Sequence, residues 1–169
     1  MKHLYALGIL AALSLPTQAQ TVFESGFENW TDNVPTDMGG LRTNLVLDSV
    51  FQETENVHGG TYAVRLQLAT GSHKRFTTQP MAVTAGTTYD ISFWVRGRGQ
   101  VRTNIYDGRA TGSGYASYNA YDTLTDGSTW EQVTQSVTCT NSSTEGEFIF
   151  SVINTVGPEH IVIDDVLIT

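Results

Sequence analysis

The stretch Tyr89-Asp90-Ile91-Ser92-Phe93-Trp94-Val95-Arg96 places an apolar side chain at every second position. Successive side chains of a β-strand point to opposite faces, so this spacing predicts a strand with one face buried in a core. The run at 100–106 repeats the alternation after the glycine-rich turn at 97–99. If the two strands pair through that turn, their second faces join outside the core.

The rest of the chain after residue 20 consists of similar short segments. Turn residues such as Gly59-Gly60, Asp126-Gly127 and Gly157-Pro158 separate them. Many short strands with frequent turn signals predict one all-β domain over residues 21–169, a jelly-roll β-sandwich of two antiparallel sheets. The predicted strands are 21–23, 46–52, 62–68, 74–76, 81–83, 87–96, 100–106, 118–124, 131–139, 147–153 and 161–168.

The first 20 residues are predicted to be a signal peptide. A charged start, Met1-Lys2-His3, precedes an apolar run at 4–15, and small residues follow at Thr17 and Ala19. Such a run is too short to cross a hydrocarbon core of about 30 Å, so no membrane insertion is expected. A buried N-terminal helix is the alternative. The signal predicts a secreted or cell-surface protein, cleaved near Ala19 and Gln20.

Composition limits the classes of partner. The 169 residues are 40% hydrophobic and only 15% charged, with 16 glycines, which suits a turn-rich globular domain. The formal net charge of −8 argues against a nucleic-acid partner. Cys139 is the only cysteine, so an intrachain disulfide is excluded and something else must hold the termini. We expect a monomer.

One predicted surface has the residue types of a sugar site. Pyranose rings stack their C–H face on flat aromatic rings, and a few placed polar groups then set the orientation. Alternatively, the aromatic rings pack under a loop and the arginines are solvated charges. The strip formed by the outer faces of strands 87–96 and 100–106 would contain Trp94, Arg96, Arg102, Asn104 and Tyr106.

A second aromatic cluster follows at residues 112–121, where tyrosines alternate with Ser, Gly and Asn. This composition is used at recognition loops. A loop here would bring Tyr115 or Tyr118 beside the strip, and both are predicted to bind ligand. The alternative is a surface loop that caps the sandwich.

Carboxylates concentrate near both ends of the mature chain, at Glu24 and Glu28 and at Asp164 and Asp165. Calcium prefers six to eight oxygen ligands that mix carboxylates with backbone carbonyls. A cation bound by these acids would tie the first strand to the last. Spacing alone favours the other interpretation, in which they are exposed turn and edge residues.

No catalytic motif is found. The sequence contains no G-x-S-x-G, H-E-x-x-H or P-loop, and its four histidines are scattered. A glycosidase needs two facing carboxyl groups, for which Glu53, Glu55 and Asp107 are the available candidates. A lone domain of this size rarely forms a deep catalytic cleft, so we predict that the protein is not an enzyme.

Five motifs in order resemble carbohydrate-binding modules of the family 4/9/22 type, which have the galactose-binding-domain-like jelly-roll fold. They are residues 23–30 (Phe-Glu-Ser-Gly-Phe-Glu-Asn-Trp), 57–66 (Val-His-Gly-Gly-Thr-Tyr-Ala-Val-Arg-Leu), 84–96 (Thr-Ala-Gly-Thr-Thr-Tyr-Asp-Ile-Ser-Phe-Trp-Val-Arg), 130–133 (Trp-Glu-Gln-Val) and 163–166 (Ile-Asp-Asp-Val). The resemblance covers nearly the whole mature chain.

The resemblance implies a structural Ca²⁺ near the chain ends and so reverses the preference drawn from spacing. Carried over position by position, the ligands are Glu24, Glu28, the backbone around His58 and Thr61, and Asp164 or Asp165. Sugar-binding residues vary within this group. The predicted strip is therefore an inference from strand geometry and is not transferred from the family.

Residues 73–80 and 106–109 also resemble accessory domains of secreted multidomain proteins of Bacteroidetes-type bacteria. The resemblance implies a catalytic domain as a partner in a larger protein. We predict a secreted, non-catalytic module that captures a polysaccharide or glycan by aromatic stacking and Arg/Asn hydrogen bonds. The alternative is a structural or adhesion accessory domain, beside a nuclease, protease or hydrolase, that binds no glycan.

Overall fold

The computed structural model describes residues 20–69, 71–158 and 160–169. The predicted signal peptide lies outside these residues, apart from its last position. Among them there is no α-helix and no helix long and apolar enough to span a membrane. The strands are β1 (Phe23–Ser25), β2 (Trp30–Thr31), β3 (Val34–Pro35), β4 (Val50–Glu53), β5 (Ala63–Leu66), β6 (Lys74–Thr77), β7 (Met81–Val83), β8 (Thr88–Gly97), β9 (Gly99–Arg109), β10 (Gly114–Tyr115), β11 (Asp122–Leu124), β12 (Glu131–Thr138), β13 (Ser143–Ile153) and β14 (Ile161–Ile168), with a 3-10 helix at Leu47–Ser49.

Two antiparallel sheets form the sandwich. The first sheet has the order β12-β8-β14-β5-β4, with β1 also paired to β14. The second has the order β10-β9-β13-β6, with β11 paired to β9 and β7 paired to β13. The strands β2 and β3 make a separate hairpin. The predicted all-β sandwich of two antiparallel sheets is confirmed.

The core lies between the inner faces of the two sheets. Ile91, Phe93 and Val95 of β8 are fully buried, as their alternation predicts. The Phe93 ring meets the Phe150 ring edge to face, with 5.2 Å between centroids. These two rings belong to opposite sheets, so the contact joins the layers and fixes their separation.

The predicted pairing of β8 with β9 is wrong. These strands belong to different sheets, and the chain crosses between them at Gly97 and Gly99. Both glycines have positive φ, 115° and 143°, and a Cβ at Gly97 would overlap the carbonyl oxygen of His160. The two glycines therefore allow a close crossover between layers where their spacing in the sequence indicates a hairpin.

The first and last strands hold the ends of the domain together directly. In the β1–β14 pair, Phe23 lies opposite Ile168. The pairing of β14 with β8 shifts register between Asp164 and Leu167, and Asp165 has a φ of 44°. On its other edge, β14 pairs with β5 in its first half and with β1 in its second half.

The predicted strand at 118–124 forms only over Asp122–Leu124. Before it, the chain follows the edge of β9 irregularly, with the Asn119 N–H donating to the Thr103 carbonyl at 3.2 Å. The Asn119 side chain also donates to Thr103 Oγ1 at 3.0 Å. This side-chain bond replaces part of a regular ladder and leaves the flanking tyrosines on the sheet face.

Candidate functional site

The crossover separates the predicted strip into two halves on opposite sides of the molecule. Trp94 and Arg96 lie on the outer face of the first sheet, because the core takes the alternate residues of β8. Arg102, Asn104 and Tyr106 lie on the outer face of the second sheet. The prediction of a single continuous strip is therefore wrong.

Trp94 is covered by a turn. The His58 ring stacks on it with 4.0 Å between centroids and an angle of 15° between planes. His58 also meets the edge of Trp130, and the guanidinium of Arg96 lies 5.9 Å from the Trp130 ring centroid. A groove of about 270 Å³ remains beside Trp94, bordered by Ser92 and Gln132 among others. One face of the indole is thus used in packing.

The outer face of the second sheet brings arginine side chains together across three strands. Ser151 of β13 lies opposite Arg75 of β6 on one side and opposite Arg102 of β9 on the other. Residues paired in this way point to the same face of a sheet. Ser151 itself is fully buried, so the two arginines flank and overlie it.

Each arginine on this face lies against tyrosine rings. The Arg102 guanidinium is 4.2 Å from the ring centroids of both Tyr118 and Tyr121. That of Arg75 is 4.9 Å from the Tyr115 ring. We refer to this surface as the arginine–tyrosine face; its members are Arg42, Arg75, Arg102, Tyr106, Tyr115, Tyr118 and Tyr121.

Arg42 completes the face from a loop that precedes the 3-10 helix. Its guanidinium lies 4.0 Å from the Tyr106 ring centroid and donates to the Tyr106 hydroxyl at 2.8 Å. The Arg42 carbonyl accepts a 3.0 Å bond from Arg75 Nε. Tyr106 and Tyr115 also meet edge to face at 5.2 Å. The side chains are therefore held in place by one another.

A buried carboxylate supports one end of the face. Glu147 is 1% exposed and accepts hydrogen bonds from Thr77 Oγ1 at 2.7 Å and from the Arg42 N–H at 2.9 Å. It thereby fixes the loop that carries Arg42. Asn104 is also buried, with its amide donating to the Ala116 carbonyl and accepting from the Ile105 N–H. Asn104 therefore holds the segment that covers it. The prediction that it lies in an exposed strip is wrong, because it is fully buried.

Several polar atoms of this face have no hydrogen-bond partner. Among the described residues, eight buried side-chain nitrogen or oxygen atoms lack one, and five of those belong here. They are Arg42 Nε, Arg102 Nε, Tyr118 Oη, Tyr121 Oη and Ser151 Oγ. Buried polar groups are normally paired, so this concentration distinguishes the arginine–tyrosine face from the rest of the described chain.

His73 lies at the edge of the arginine–tyrosine face, where burial and nearby cations affect its pKa. Its ring is 5.5 Å from the Tyr118 ring. Burial lowers the pKa of His73, and the positive charges of Arg102, Arg75 and Lys74 lower it further. Burial and the neighbouring positive charges thus act in the same direction, and both favour the neutral imidazole.

The predicted metal-binding residues surround the turn at 58–61. Glu28 Oε1 accepts from the N–H groups of Thr61 and Tyr62, at 2.8 and 3.1 Å. Asp164 Oδ2 accepts from the N–H groups of His58 and Gly59, at 2.8 and 3.1 Å. Glu28 and Asp164, from near the two ends of the mature chain, thus both lie at this turn.

The other two acids differ in position. Asp165, on β14, contacts the same turn, because its Oδ2 lies 2.6 Å from Nδ1 of His58. Glu24 lies on β1 opposite Leu167 and borders the groove beside Trp94. Burial raises the pKa of Asp164, whereas backbone N–H donors lower that of Glu28.

The donor set tests whether calcium fits this turn. In the described part of the chain, no three His, Cys, Asp or Glu side chains converge on a possible metal position. The oxygens of Asp164 are all engaged by N–H donors, since Oδ1 accepts from Asp165. An ion here would need oxygens of Glu28 and Asp165 and several turn carbonyls or waters.

Two of the candidate catalytic acids, Glu53 and Asp107, lie in different sheets. Glu53 lies on β4 of the first sheet, where Oε1 accepts from the N–H groups of Glu55 and Asn56. Asp107 lies on β9 of the second sheet and forms two 2.8 Å bonds with the Arg109 guanidinium. Each acid therefore has a structural partner, in a different sheet.

The described residues thus form a jelly-roll β-sandwich in which one sheet has an outer face rich in tyrosine and arginine. A model of the family CBM_4_9, described as carbohydrate binding domain, matches residues 19–157. The match spans most of the chain, so this protein belongs to that family. The resemblance carried by the five motifs is confirmed.

Solved structures share the fold. The chain is similar to the CBM22-1 xylan-binding domain of Paenibacillus barcinonensis Xyn10C, with 13% identity, a TM-score of 0.60, and 88% of this chain and 93% of that one covered. It is similar to the CBM22-1-GH10 modules of Clostridium thermocellum endo-1,4-beta-D-xylanase 10B complexed with xylohexaose, at 16% identity, a TM-score of 0.62, and 90% and 29% coverage. An arabinose-bound α-L-arabinofuranosidase, MgGH51, matches at 15% identity and a TM-score of 0.59, over 85% and 25% of the two chains. No curated protein matches.

Sequence reasoning identified Arg102, Tyr106, Tyr115 and Tyr118, which the structure does bring together. It missed Arg42, Arg75, Tyr121 and Ser151. Arg75 and Ser151 alternate with the buried residues Phe76 and Phe150, so period-two counting on strands 74–76 and 147–153 could have placed both on an outer face. Arg42 lies in a loop and carries no such signal.

Proposed function

We propose that this domain captures a polysaccharide on the arginine–tyrosine face of the second sheet. The observation that carries the proposal is the set of unpartnered polar atoms around Arg102, which includes the hydroxyls of Tyr118 and Tyr121. Sugar hydroxyls both donate and accept, so they can satisfy a guanidinium and two phenols at once. Membership of a carbohydrate binding domain family supports the same ligand class.

Affinity on this face would come from flat rings and planar polar groups. The phenol rings of Tyr106, Tyr115 and Tyr118 are half-buried, and each is held by an arginine or by another ring. A ring with little freedom left loses little entropy when a sugar stacks on its exposed edge or face. The arginines add directional N–H donors with a fixed fork geometry.

The test is a glycan array followed by titration of any ligand found, with the variants Tyr118→Ala and Trp94→Ala. We expect Tyr118→Ala to weaken binding about tenfold or more, since a stacked aromatic is a typical hot spot. Trp94→Ala discriminates the faces, because its indole lies on the first sheet. Binding lost with Trp94→Ala and kept with Tyr118→Ala would move the site to the groove beside Trp94.

Tyr118→Phe serves as a milder variant. It keeps the ring against Arg102 and removes only the unpartnered hydroxyl. Thermal melts of each variant show whether a loss of binding reflects unfolding. If the folded wild type binds no plant, algal or bacterial glycan, the alternative of a structural or adhesion accessory domain takes over.

We also propose that the domain acts by non-covalent capture and that a catalytic domain is its partner. The family is a binding family, and two similar solved structures are parts of glycoside-cleaving enzymes. Glu53 accepts from backbone N–H groups in the first sheet and Asp107 pairs with Arg109 in the second, so these two acids do not face each other across a cleft. Incubation of the folded domain with its bound glycan should release no reducing ends.

We propose in addition that a structural calcium ion binds at the turn of residues 58–61. Glu28 and Asp165 approach this turn from opposite ends of the domain, and a Cβ at Gly59 would lie 2.8 Å from Asp165 Oδ2. Two carboxylates near one turn repel each other, and a cation would offset that repulsion. The ion would then need turn carbonyls to complete its oxygen ligands.

Secretion is proposed on the pattern of residues 1–20. The charged start, apolar run and small residues favour export and cleavage. N-terminal sequencing of the protein recovered from the medium or cell surface is the measurement. A mature protein that begins near Gln20 or Thr21 supports the proposal, and recovery of an uncleaved Met1 chain inside the cell contradicts it.

A further inference from the structure

We infer that the glycan taken by the arginine–tyrosine face is anionic, with a carboxylate or sulfate group lying between Arg75 and Arg102 above Ser151. The inference rests on the proposed function and specifies its ligand class. It follows from the charge, spacing and hydrogen-bonding state of these three side chains.

First, in the described part of the chain, the three arginines of this face form no ion pair with an acid. The chain has 17 acidic residues and only nine basic ones, yet three arginines gather on one sheet face. The ion pairs of the described residues use His58, Arg65 and Arg109. The guanidinium groups of the face thus form no ion pair within the described residues, and their neighbours are tyrosine rings.

The second step is the spacing. Arg75, Ser151 and Arg102 occupy one row across three hydrogen-bonded strands. Adjacent strands are about 4.8 Å apart, so the two arginine backbones are separated by about 10 Å. An anionic group that bonds to both guanidinium groups would therefore lie between them, over the position of Ser151. Arginine binds both kinds of group through two parallel N–H bonds.

The third step is the buried hydroxyl. Ser151 is fully buried and its Oγ has no partner, and Arg102 Nε is likewise unpaired. A hydroxyl that can donate, placed between two cations, suits an anion oxygen better than a neutral hydroxyl. The depressed pKa of His73, caused by burial and then by Arg102, Arg75 and Lys74, shows that the same region already disfavours another positive charge.

The net charge of −8 does not oppose this inference. At physiological ionic strength the screening length is about 8 Å, so acids elsewhere on the surface are largely screened. The groups in the row act over shorter distances. The one carboxylate under the face, Glu147, is buried and hydrogen-bonded to Thr77 and to the Arg42 backbone.

The experiment compares matched polymers on immobilised surfaces by surface plasmon resonance. Polygalacturonate is compared with its methyl ester, which has the same backbone without the charge, and dextran sulfate is compared with dextran. The variants are Arg102→Gln and, as a control with the same change in charge, Arg98→Gln. Arg98 is exposed and lies at the crossover, away from the arginine–tyrosine face. Its backbone N–H donates to the His160 carbonyl, and its guanidinium donates to the Asp126 carbonyl.

We expect retention on at least one anionic polymer, little on its neutral counterpart, and weaker retention as salt rises. Arg102→Gln should lower the affinity about tenfold or more, since a charge-assisted hydrogen bond is lost, while Arg98→Gln should change it little. Equal loss in the two variants, or equal retention on charged and neutral members of a pair, overturns the inference.

The outcomes separate this inference from the proposed function. Retention on neutral glycans alone, abolished by Tyr118→Ala, keeps the site and rejects the anionic ligand. No retention on any polymer or on the array rejects both. Thermal melts of Arg102→Gln and Arg98→Gln confirm that each variant is folded before binding is compared.

Discussion

The imidazole of His58 stacks on the indole of Trp94, with centroids 4.0 Å apart and planes 15° from parallel. The same imidazole lies 2.6 Å, through Nδ1, from Oδ2 of Asp165. A turn between β4 and β5 is thereby joined to β8 and to the irregular middle of β14. The tryptophan that looks most like a sugar platform in the sequence is thus covered by the turn in the folded protein.

We expect His58→Ala to destabilise the domain by about 1 kcal/mol, because it removes one ring pair and one contact to a carboxylate. Urea unfolding at pH 7 measures the change. Thr54→Ala, an exposed position in the same loop, is the control. An unfolding midpoint unchanged from wild type would show that the turn is held by its backbone hydrogen bonds alone.

The ion pair of Asp107 and Arg109 predicts a pH-dependent contribution to stability. Burial would raise the pKa of Asp107, but hydrogen bonds from the Arg109 side chain and from the Thr140 and Arg109 N–H groups lower it well below its usual range. The contribution is therefore complete above the unfolded pKa of about 3.9 and declines as the pH falls below that value.

We expect Asp107→Asn to lower the free energy of unfolding by about 3 kcal/mol at pH 7, since it leaves the partly buried Arg109 without its charged partner. The gap between wild type and variant should shrink at pH 2.5. Asp48→Asn, at an exposed acid, controls for the loss of one negative charge. A gap of the same size at both pH values would contradict the assignment of the low pKa to this pair.

Gly97 is the position where the crossover between sheets is most sensitive to a side chain. Its φ of 115° is unfavourable for other residues, and a Cβ would overlap the His160 carbonyl. We expect Gly97→Ala to destabilise by about 3 kcal/mol or more, from strain and overlap together. Gly86→Ala is the matched control, because Gly86 has a φ of 83° but no atom within 4 Å of an added Cβ.

Gly86→Ala should lower the free energy of unfolding by about 1 kcal/mol, which is the penalty for a left-handed backbone conformation alone. Urea unfolding of both variants separates the two contributions. If Gly97→Ala costs no more than Gly86→Ala, the backbone moves away from His160 easily, and the close approach is not what directs the chain from one sheet to the other.

The proposed calcium ion predicts a dependence of the melting temperature on chelation. A ligand bound only by the folded state stabilises it by mass action, by about 2.7 kcal/mol at 100 times its dissociation constant. EDTA should therefore lower the melting temperature, and excess CaCl₂ should restore it. Glu28→Gln should reduce this difference, whereas Asp48→Asn should preserve it. Identical melts with EDTA and with CaCl₂ would remove the calcium proposal and leave the N–H donors of the turn as the link between the termini.

The sequence alone predicts which face of a strand is buried, but it does not predict which strands pair or what covers their outer faces. Alternation over Tyr89–Val95 placed Ile91, Phe93 and Val95 in the core, because burial of alternate residues is a local property of a strand. Whether β8 pairs with β9 depends on the backbone at Gly97 and Gly99. Glycine is equally compatible with a hairpin and with a crossover, so the pattern could not distinguish them.

Individual site residues show the same division. Tyr115 and Tyr118 were found because tyrosines among small polar residues are typical of recognition loops. Trp94 was misplaced because its cover, His58, comes from a turn 36 positions earlier in the chain. Alternation predicts an exposed Asn104, because it indicates the face of a sheet on which a residue lies but not what covers that face. The Ala116 carbonyl that accepts its amide belongs to the irregular segment along β9.

Removal of the Ser151 hydroxyl should weaken glycan binding without lowering the free energy of unfolding. It is fully buried and unpartnered in the free domain, so its removal leaves no hydrogen bond to lose. We expect Ser151→Ala to leave the free energy of unfolding unchanged or to raise it by up to about 1 kcal/mol. The same substitution should weaken glycan binding.

Ser25→Ala is the matched control. Ser25 is also buried, but its Oγ accepts a 3.1 Å hydrogen bond from the Phe27 N–H. That variant should therefore lose about 1 kcal/mol of stability and still bind the glycan. Equal destabilisation by the two variants would mean that Ser151 Oγ is already hydrogen-bonded in the free protein and has no bond to offer an anion.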